Sequence, residues 1–277
     1  VLTRNPERAA EKIGHLAGDV IGWNPMEGPP PPESFDGVDC VFHLAGESVA
    51  EGRWTTAQKA TIRDSRILGT KNLVSGILQN KTGIKTLVSS SAVGYYGDRG
   101  EEDLTESSAP GTDFLADVCI DWEREADIAR EQGVRVVTMR TGIVLGAGGG
   151  ALAKMLTPFR LGAGGPLGNG RQWMPWVHVA DLARLYIHAN ETSLINGPMN
   201  AVAPNPVRNS EFTKALAAQL KRPAFMPAPY LGLRLVFGEF AKVLCAAQKV
   251  VPQAALETGF AYQFPFIKEA LKDILSV

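Results

Sequence analysis

With 277 residues, 45% of them apolar and 21% charged, the chain is long enough to bury a sizeable core and is no disordered polymer. Twenty-eight basic residues against twenty-nine acidic ones leave a formal charge of -1, which is no electrostatic footprint for nucleic acid or an anionic membrane. Cys40, Cys119 and Cys245 form no CxxC pair, and the four histidines lack metal-ligand spacing, so neither a disulfide framework nor a zinc site is expected.

No stretch reads as a secretion signal or a membrane span; the most apolar late segment, 228–248, is interrupted by Arg234, Glu239 and Lys242. The expectation is a cytoplasmic, metal-free protein with a small-molecule substrate and no nucleic-acid or membrane partner. Its assembly is left open, with a homodimer among the alternatives.

In chain order, short apolar runs alternate with helical patterns. Strands are expected at 1–3, 19–23, 40–44, 86–89 and 135–145, with long helices at 55–78 and 113–131. In the first helix, Ile62, Ile67, Leu68, Leu73, Val74 and Leu78 fall on roughly one stripe. Strands separated by helices of this length pair in parallel through right-handed crossovers, which predicts an α/β, Rossmann-like doubly wound parallel sheet. From Gly146 the texture changes: residues 146–170 hold nine of the 29 glycines. A short helix is expected at 151–159, a strand at 176–179, a helix at 181–190 and a strand at 199–202. Helices at 209–220 and 230–248 follow, joined by the proline-rich 223–229. The expected division is therefore a sheet domain over 1–146 and a smaller substrate-side part over 147–277, interleaved with the sheet near 176–202. Ligands should bind between them, at the carboxyl ends of the strands.

Gly146-Ala147-Gly148-Gly149-Gly150-Ala151 satisfies G-x-G-x-x-G/A, but residues 151–180 contain no Asp or Glu to hold a ribose. It reads as a flexible substrate-side loop. Three other segments say more together. The apolar strand Val41-Phe42-His43-Leu44-Ala45-Gly46 ends in small residues, as a close-lying ligand requires; a core strand with a satisfied His43 is the alternative. Leu87 to Gly97 is a buried strand whose end presents the hydroxyls of Ser89, Ser90 and Ser91; an ST-turn is the alternative. In Trp176-Val177-His178-Val179-Ala180-Asp181, Asp181 is expected to cap the helix it opens.

VFHLAG (41–46), VSSSAVGYYG (88–97), RTGIVLG (140–146) and WVHVADLA (176–183) resemble, in this order, the extended short-chain dehydrogenase/reductases of the NAD(P)-dependent epimerase/dehydratase superfamily. HLAGESV (43–49), the segment 53–70, the block 148–178 and the tail 249–271 resemble one atypical branch, called epimerase family proteins. The resemblance covers nearly the whole chain.

What it implies is positional. Thr3 and Arg4 correspond to the strand end where the adenosine ribose is read, and an Arg there without an acid suits a 2′-phosphate, favouring NADP over NAD. Arg4 could otherwise be a solvated strand-end cation. Leu44, Ala45 and Gly46 would pass under the ribose and diphosphate, with Ser89, Arg66 and Arg140 as further cofactor-side positions. A helix charge for Arg66 and a strand-end salt bridge for Arg140 are the alternatives. Ser91 matches the superfamily's catalytic hydroxyl. Its partner, a Tyr-x-x-x-Lys pair, should lie on the helix after 113, which has neither residue: aligned on Glu123, the pair becomes Leu115 and Cys119.

Without a lysine to assist it, a phenol ionises only near pH ~10, so Tyr95 beside Ser91 is a weak base at neutral pH; packing aromatics with one wet end is the alternative for Tyr95 and Tyr96. Cys119 reads as a packed thiol. Glu47, Trp173, Trp176 and His178 are the remaining substrate-side candidates, His178 with a structural role as its alternative. Two functions stand open: an NADP-dependent oxidoreductase or epimerase-like enzyme on a small polar substrate, in which Ser91 and Tyr95 orient a carbonyl, or an NADP-binding sensor without hydride transfer. Since the strand, glycine-rich turn and helix that bind a diphosphate should precede Val1, the natural protein is expected to begin roughly 20–30 residues earlier, or a partner or rearranged segment to fill that place.

Overall fold

The computed structural model describes residues 1–16, 18–80 and 83–276. Strand β1 (Leu2–Thr3) leads into α1 (Pro6–Ile13), capped by the Asn5 side chain, and β2 (Ile21–Gly22) pairs with β1 in parallel. Strand β3 (Cys40–His43) is followed by α2 (Thr56–Gln79), which starts where the Thr55 hydroxyl accepts from the Gln58 N–H. Its buried face is Ile62, Gly69, Thr70, Leu73, Val74, Gly76 and Ile77, a rotation away from the expected stripe that leaves Ile67, Leu68 and Leu78 only half-buried.

Next come β4 (Thr86–Ala92), β5 (Asp103–Leu104), α3 (Phe114–Asp127) and β6 (Arg135–Thr141). The expected single strand at 135–145 is two: Gly142 separates β6 from β7 (Ile143–Leu145), and a Cβ there would stand 2.6 Å from the Pro175 carbonyl oxygen. The chain continues through α4 (Gly150–Arg160), β8 (Trp173–Met174), β9 (Trp176–His178), α5 (Val179–Glu191) and β10 (Gly197–Ala201). β11 (Val207–Arg208) and α6 (Asn209–Leu220) follow. The helix expected over 230–248 breaks at Gly238, whose φ of 63° ends α7 (Tyr230–Phe237) before α8 (Phe240–Cys245). β12 (Lys249–Val250), α9 (Gln253–Glu257) and α10 (Ile267–Leu275) complete the chain; the expectations had not included α1, α9, α10 or the two-residue strands β5, β8, β11 and β12.

The main sheet is parallel, in the order β10-β6-β4-β3, and the β1-β2 pair stands apart from it. One face is covered by α2 and α3, with Leu73, Val74, Ile77, Ala126 and Trp23 against Leu87 and Val136. The other carries α5 and α9, with Leu185, Tyr186 and Ala255 against Val88, Val137 and Met199. Helices on both faces of a parallel sheet are the doubly wound arrangement. A second core joins α4, α6 and α10 around Trp176, Phe212 and Leu271.

Asp181 does not cap its own helix. His178 does so, its Nδ1 accepting from the Ala180 N–H at 3.1 Å. Asp181, fully buried, accepts from the Gln263 and Phe264 N–H groups at 2.9 Å each and from Arg184, and so ties the C-terminal tail to α5.

Candidate functional site

The ends of β1 and β3 face each other across a cleft of about 290 Å³, lined by Leu2, Thr3, Arg4, Trp23, Asn24, Pro25, Met26, Leu44, Ala45, Gly46, Glu47 and Ser65. Local chemistry sets its walls. The Thr3 hydroxyl accepts from the Asn5 N–H, which leaves Arg4 at the exposed strand end. Opposite, Leu44 is 66% exposed, an uncommon position for leucine. The Glu47 N–H donates to the Ser65 hydroxyl at 3.1 Å, fastening the turn after β3 to α2. Beneath β3, His43 meets the Thr70 hydroxyl at 2.9 Å, and burial lowers its pKa to about 4, so the ring is neutral. Of the expected cofactor-side residues, Thr3, Arg4, Leu44, Ala45 and Gly46 share this cleft, as does Glu47; Arg66 lies directly behind Gly46.

Ser91 belongs to a second cluster. Its hydroxyl donates to Glu123 Oε1 at 2.6 Å, and Arg140 closes on the same carboxylate through Nε and Nη2, both at 2.9 Å. Arg140 Nη1 donates to the Tyr96 hydroxyl, which donates in turn to Asn200 Oδ1 at 2.6 Å. The guanidinium carbon sits 3.4 Å from the Tyr95 ring centre, in cation–π contact. Burial works against the charge of Arg140, but the bonds to Glu123 outweigh it and hold the group above the ordinary arginine range. Burial pushes the Tyr96 phenol up to about 12. The structure thus brings Ser91, Tyr95 and Arg140 together, but Arg140 is the buried partner of Glu123 and does not line the cleft.

The positions aligned with the Tyr-x-x-x-Lys pair are packed. A Cβ on Gly94 would lie 3.2 Å from Leu115 Cβ, and Cys119 Sγ points to the Ala92 carbonyl at 3.7 Å. Burial raises the Cys119 thiol to about 12, a protonated group at any physiological pH.

The other expected site residues lie elsewhere. Ser89 is fully buried and makes a long contact with the Ser90 carbonyl. Trp176, expected on the substrate side, is wholly inside the second core, donating to the Asn205 carbonyl. His178 is also buried, stacked on Phe264 at 3.9 Å with Asp273 Oδ2 3.3 Å from its Nε2. Trp173 donates to Glu101 and carries Arg208 over its ring at 4.4 Å, far in sequence from the cleft. Sequence reasoning missed Ser65, the 23–26 turn and Glu123. Ser65 sits one position from Arg66, and Glu123 served only as an alignment mark, though an acid one helical turn past Cys119 signals a charge facing the same strand.

Among the described residues no group of three His, Cys, Asp or Glu side chains could hold a metal, and no helix is long and apolar enough to cross a membrane.

Against known families, residues 32–201 match the model of the NAD dependent epimerase/dehydratase family, and 228–274 match a domain of unknown function, DUF1731. Epimerase family protein Mb2239 of Mycobacterium bovis is 40% identical over 254 residues, 91% of this chain and 84% of its own length. Epimerase family protein YfhF of Bacillus subtilis is 38% identical over 277 residues, all of this chain and 89% of its own length. Among solved structures, human epimerase family protein SDR39U1 with NADPH superposes with a TM-score of 0.87 at 34% identity, covering 99% of this chain and 90% of that one.

Proposed function

Because the chain belongs to the NAD dependent epimerase/dehydratase family, we propose that it binds NADP(H) in the β1–β3 cleft and acts as an oxidoreductase or epimerase-like enzyme on a small polar substrate. The observation that carries this reading is Arg4: exposed at the end of β1, on the cleft wall, with no carboxylate paired to it among the described residues. A guanidinium fork without an acid beside it suits a 2′-phosphate, and the same place with an Asp or Glu would suit the bare hydroxyl of NAD. The human relative crystallised with NADPH supports the same cofactor. The residues fit the group: Thr3 and Arg4 would take the phosphorylated ribose, and Leu44, Ala45 and Gly46 would lie under the dinucleotide.

When bound, a nicotinamide supplies or accepts hydride. The chain's own part would be to bind, orient and manage the proton. The proton of Ser91 is committed to Glu123, so the serine has only lone pairs left to offer and would accept from a substrate hydroxyl or N–H. Tyr95, with Arg140 over its ring, is the remaining phenol beside it that could donate to a carbonyl oxygen.

A second reading, an NADP(H) sensor without hydride transfer, is favoured by one specific observation: packed Leu115 and Cys119 where the superfamily keeps its tyrosine and lysine. Fluorescence titration with NADPH and NADH, followed by turnover assays against carbonyl and sugar-nucleotide panels, tests both. Tighter binding of NADPH than NADH with turnover supports the enzyme; the same binding without turnover on any panel supports the sensor. Equal affinity for the two dinucleotides contradicts the role given to Arg4.

A further inference from the structure

We propose that the arm 221–237, with the end of α4 beside it, is a docking surface for an anionic membrane, on which the protein rests without crossing the bilayer. The inference goes beyond the reading of the β1–β3 cleft and does not depend on it.

Charge is the first observation. Residues 151–180 and 212–238 together hold seven Lys and Arg and no Asp or Glu. These two segments carry +7 and the rest of the chain -8, a division concealed by the formal charge of -1 on which the expectation of no membrane partner rested. None of the seven cations is in an ion pair among the described residues. The acids flanking the second segment are engaged: Glu211 accepts from the Arg208 N–H, and Glu239 pairs with Lys59. The two segments also meet. The Met226 and Ala228 N–H groups donate to the Gly164 and Pro166 carbonyls at 3.3 and 2.9 Å, and a Cβ on Gly162 would lie 4.0 Å from Pro223. Arg160 and Leu161, at the end of α4, therefore stand close to the stretch that follows α6, where Arg222 and Phe225 are exposed.

Apolar exposure is the second observation, and it falls on the same stretch. Leu161, Phe225, Leu231 and Leu235 are 74–79% exposed, and Met226 and Val236 are more than half exposed. On α7, Leu231, Arg234 and Leu235 fall at i, i+3 and i+4 and share an outward stripe, whereas Leu233 turns inward and is buried. The helix is held in place by Arg53, whose Nη2 donates to the Leu235 carbonyl at 3.0 Å, so the stripe stands on a fixed base. Single leucines in water need no account, but a run of them interleaved with unpaired cations does. An acidic protein is the other class of occupant. The absence of any acid over both segments favours a surface that is anionic throughout. A bilayer with anionic headgroups offers phosphate to the cations and hydrocarbon to the side chains between them, the combination that interfacial segments use.

Flotation of the full chain with phosphatidylcholine liposomes containing about a third phosphatidylserine, against liposomes of phosphatidylcholine alone, is the test. Binding should require the anionic lipid and should fall as added salt screens it. Arg160→Gln combined with Arg222→Gln should weaken it roughly tenfold or more, at about fivefold per charge. Phe225→Ser combined with Leu231→Ser should abolish flotation. Both variants should melt as wild type does, because every side chain changed is exposed. Leu194→Ser, at an exposed leucine outside the arm, should float as wild type does. Equal flotation with the two kinds of liposome, or a loss in Leu194→Ser as large as in the arm variants, overturns the proposal. Absence of flotation overturns it too. Retention on poly-glutamate that Arg160→Gln with Arg222→Gln removes would then assign the face to an acidic protein. A dimer in sedimentation that Phe225→Ser with Leu231→Ser dissociates, with liposomes left unbound, would assign it to a second copy of this chain.

Discussion

Glu123→Ala should be the most damaging single substitution near the candidate site, and its size follows from what the carboxylate holds. Arg140 is 4% exposed and Glu123 13%, and both guanidinium bonds are 2.9 Å long. Removing one partner of such a pair strands the other charge, which costs about 3–5 kcal/mol. Against a total stability of about 5–15 kcal/mol, that is a large share. Arg140 also carries the Tyr96 bond and stacks on Tyr95, so the loss should spread to the end of β4. Replacing both charges by apolar groups, Glu123→Leu with Arg140→Met, should recover much of the deficit, because a buried pair and a well-packed apolar pair are close in energy. Urea unfolding at pH 7 of the singles and the double gives the coupling directly. Ser91→Ala, which removes one hydrogen bond while Arg140 still satisfies the carboxylate, should cost only about 1 kcal/mol. A Glu123→Ala loss under about 1 kcal/mol, or singles that add within about 0.5 kcal/mol, would refute the account of the cluster.

Three further outcomes are expected. Asp181→Ala removes the acceptor of two tail N–H groups and should cost about 2–5 kcal/mol, with amide exchange at 263–264 rising sharply; protection equal to wild type there would contradict the tie. His43 has a folded pKa of about 4, below the unfolded value near ~6.5. The unfolded chain therefore binds the proton first: the contribution of His43 is complete above pH ~6.5, declines as pH falls, and is gone below about 4, a change of about 3 kcal/mol. His43→Gln should flatten the stability profile across that window, and an unaltered slope in urea titrations would exclude this origin. Finally, the thiols of Cys40 and Cys119 are pushed up to about 11 and about 12 by burial, so native protein at pH 8 should react with a thiol reagent far more slowly than unfolded protein. Rapid labelling of Cys119 would instead mark it as a reactive group.

The parts of this molecule legible in the sequence are those set by neighbours a few residues away. Alternating apolar strands and long helices predict the parallel sheet, and the family resemblance assigns Thr3, Arg4, Leu44, Ala45 and Gly46 to one ligand; these five residues line one cleft. What was illegible depends on distant partners. Asp181 looks like a helix cap because it follows a strand, yet its acceptors serve N–H groups 82 and 83 residues away. Trp176 looks like a substrate aromatic because it sits among glycine-rich loops, yet the terminal helix α10 covers it. The mostly apolar texture of 230–248 hides the break at Gly238, since a glycine within a helical pattern is a stop only when the next turn has another place to pack.

The departure at Leu115 and Cys119 has an internal consistency that a list of missing catalytic residues conceals. A lysine at 119 would put an ammonium at a buried position of α3, where the carboxylate one turn on, Glu123, already holds Arg140 by two bonds. The ammonium and Arg140 would then share that acid, and burial makes an unpaired cation costly. With a thiol there, Glu123 is left to neutralise Arg140 alone. Leu115 packs against Gly94 closely enough that a methyl on that glycine would crowd it. The partner of Ser91 in this chain is a carboxylate, Glu123. Grafting a Tyr-x-x-x-Lys pair onto α3 should therefore lower stability in urea unfolding, because the added lysine would compete with Arg140 for Glu123.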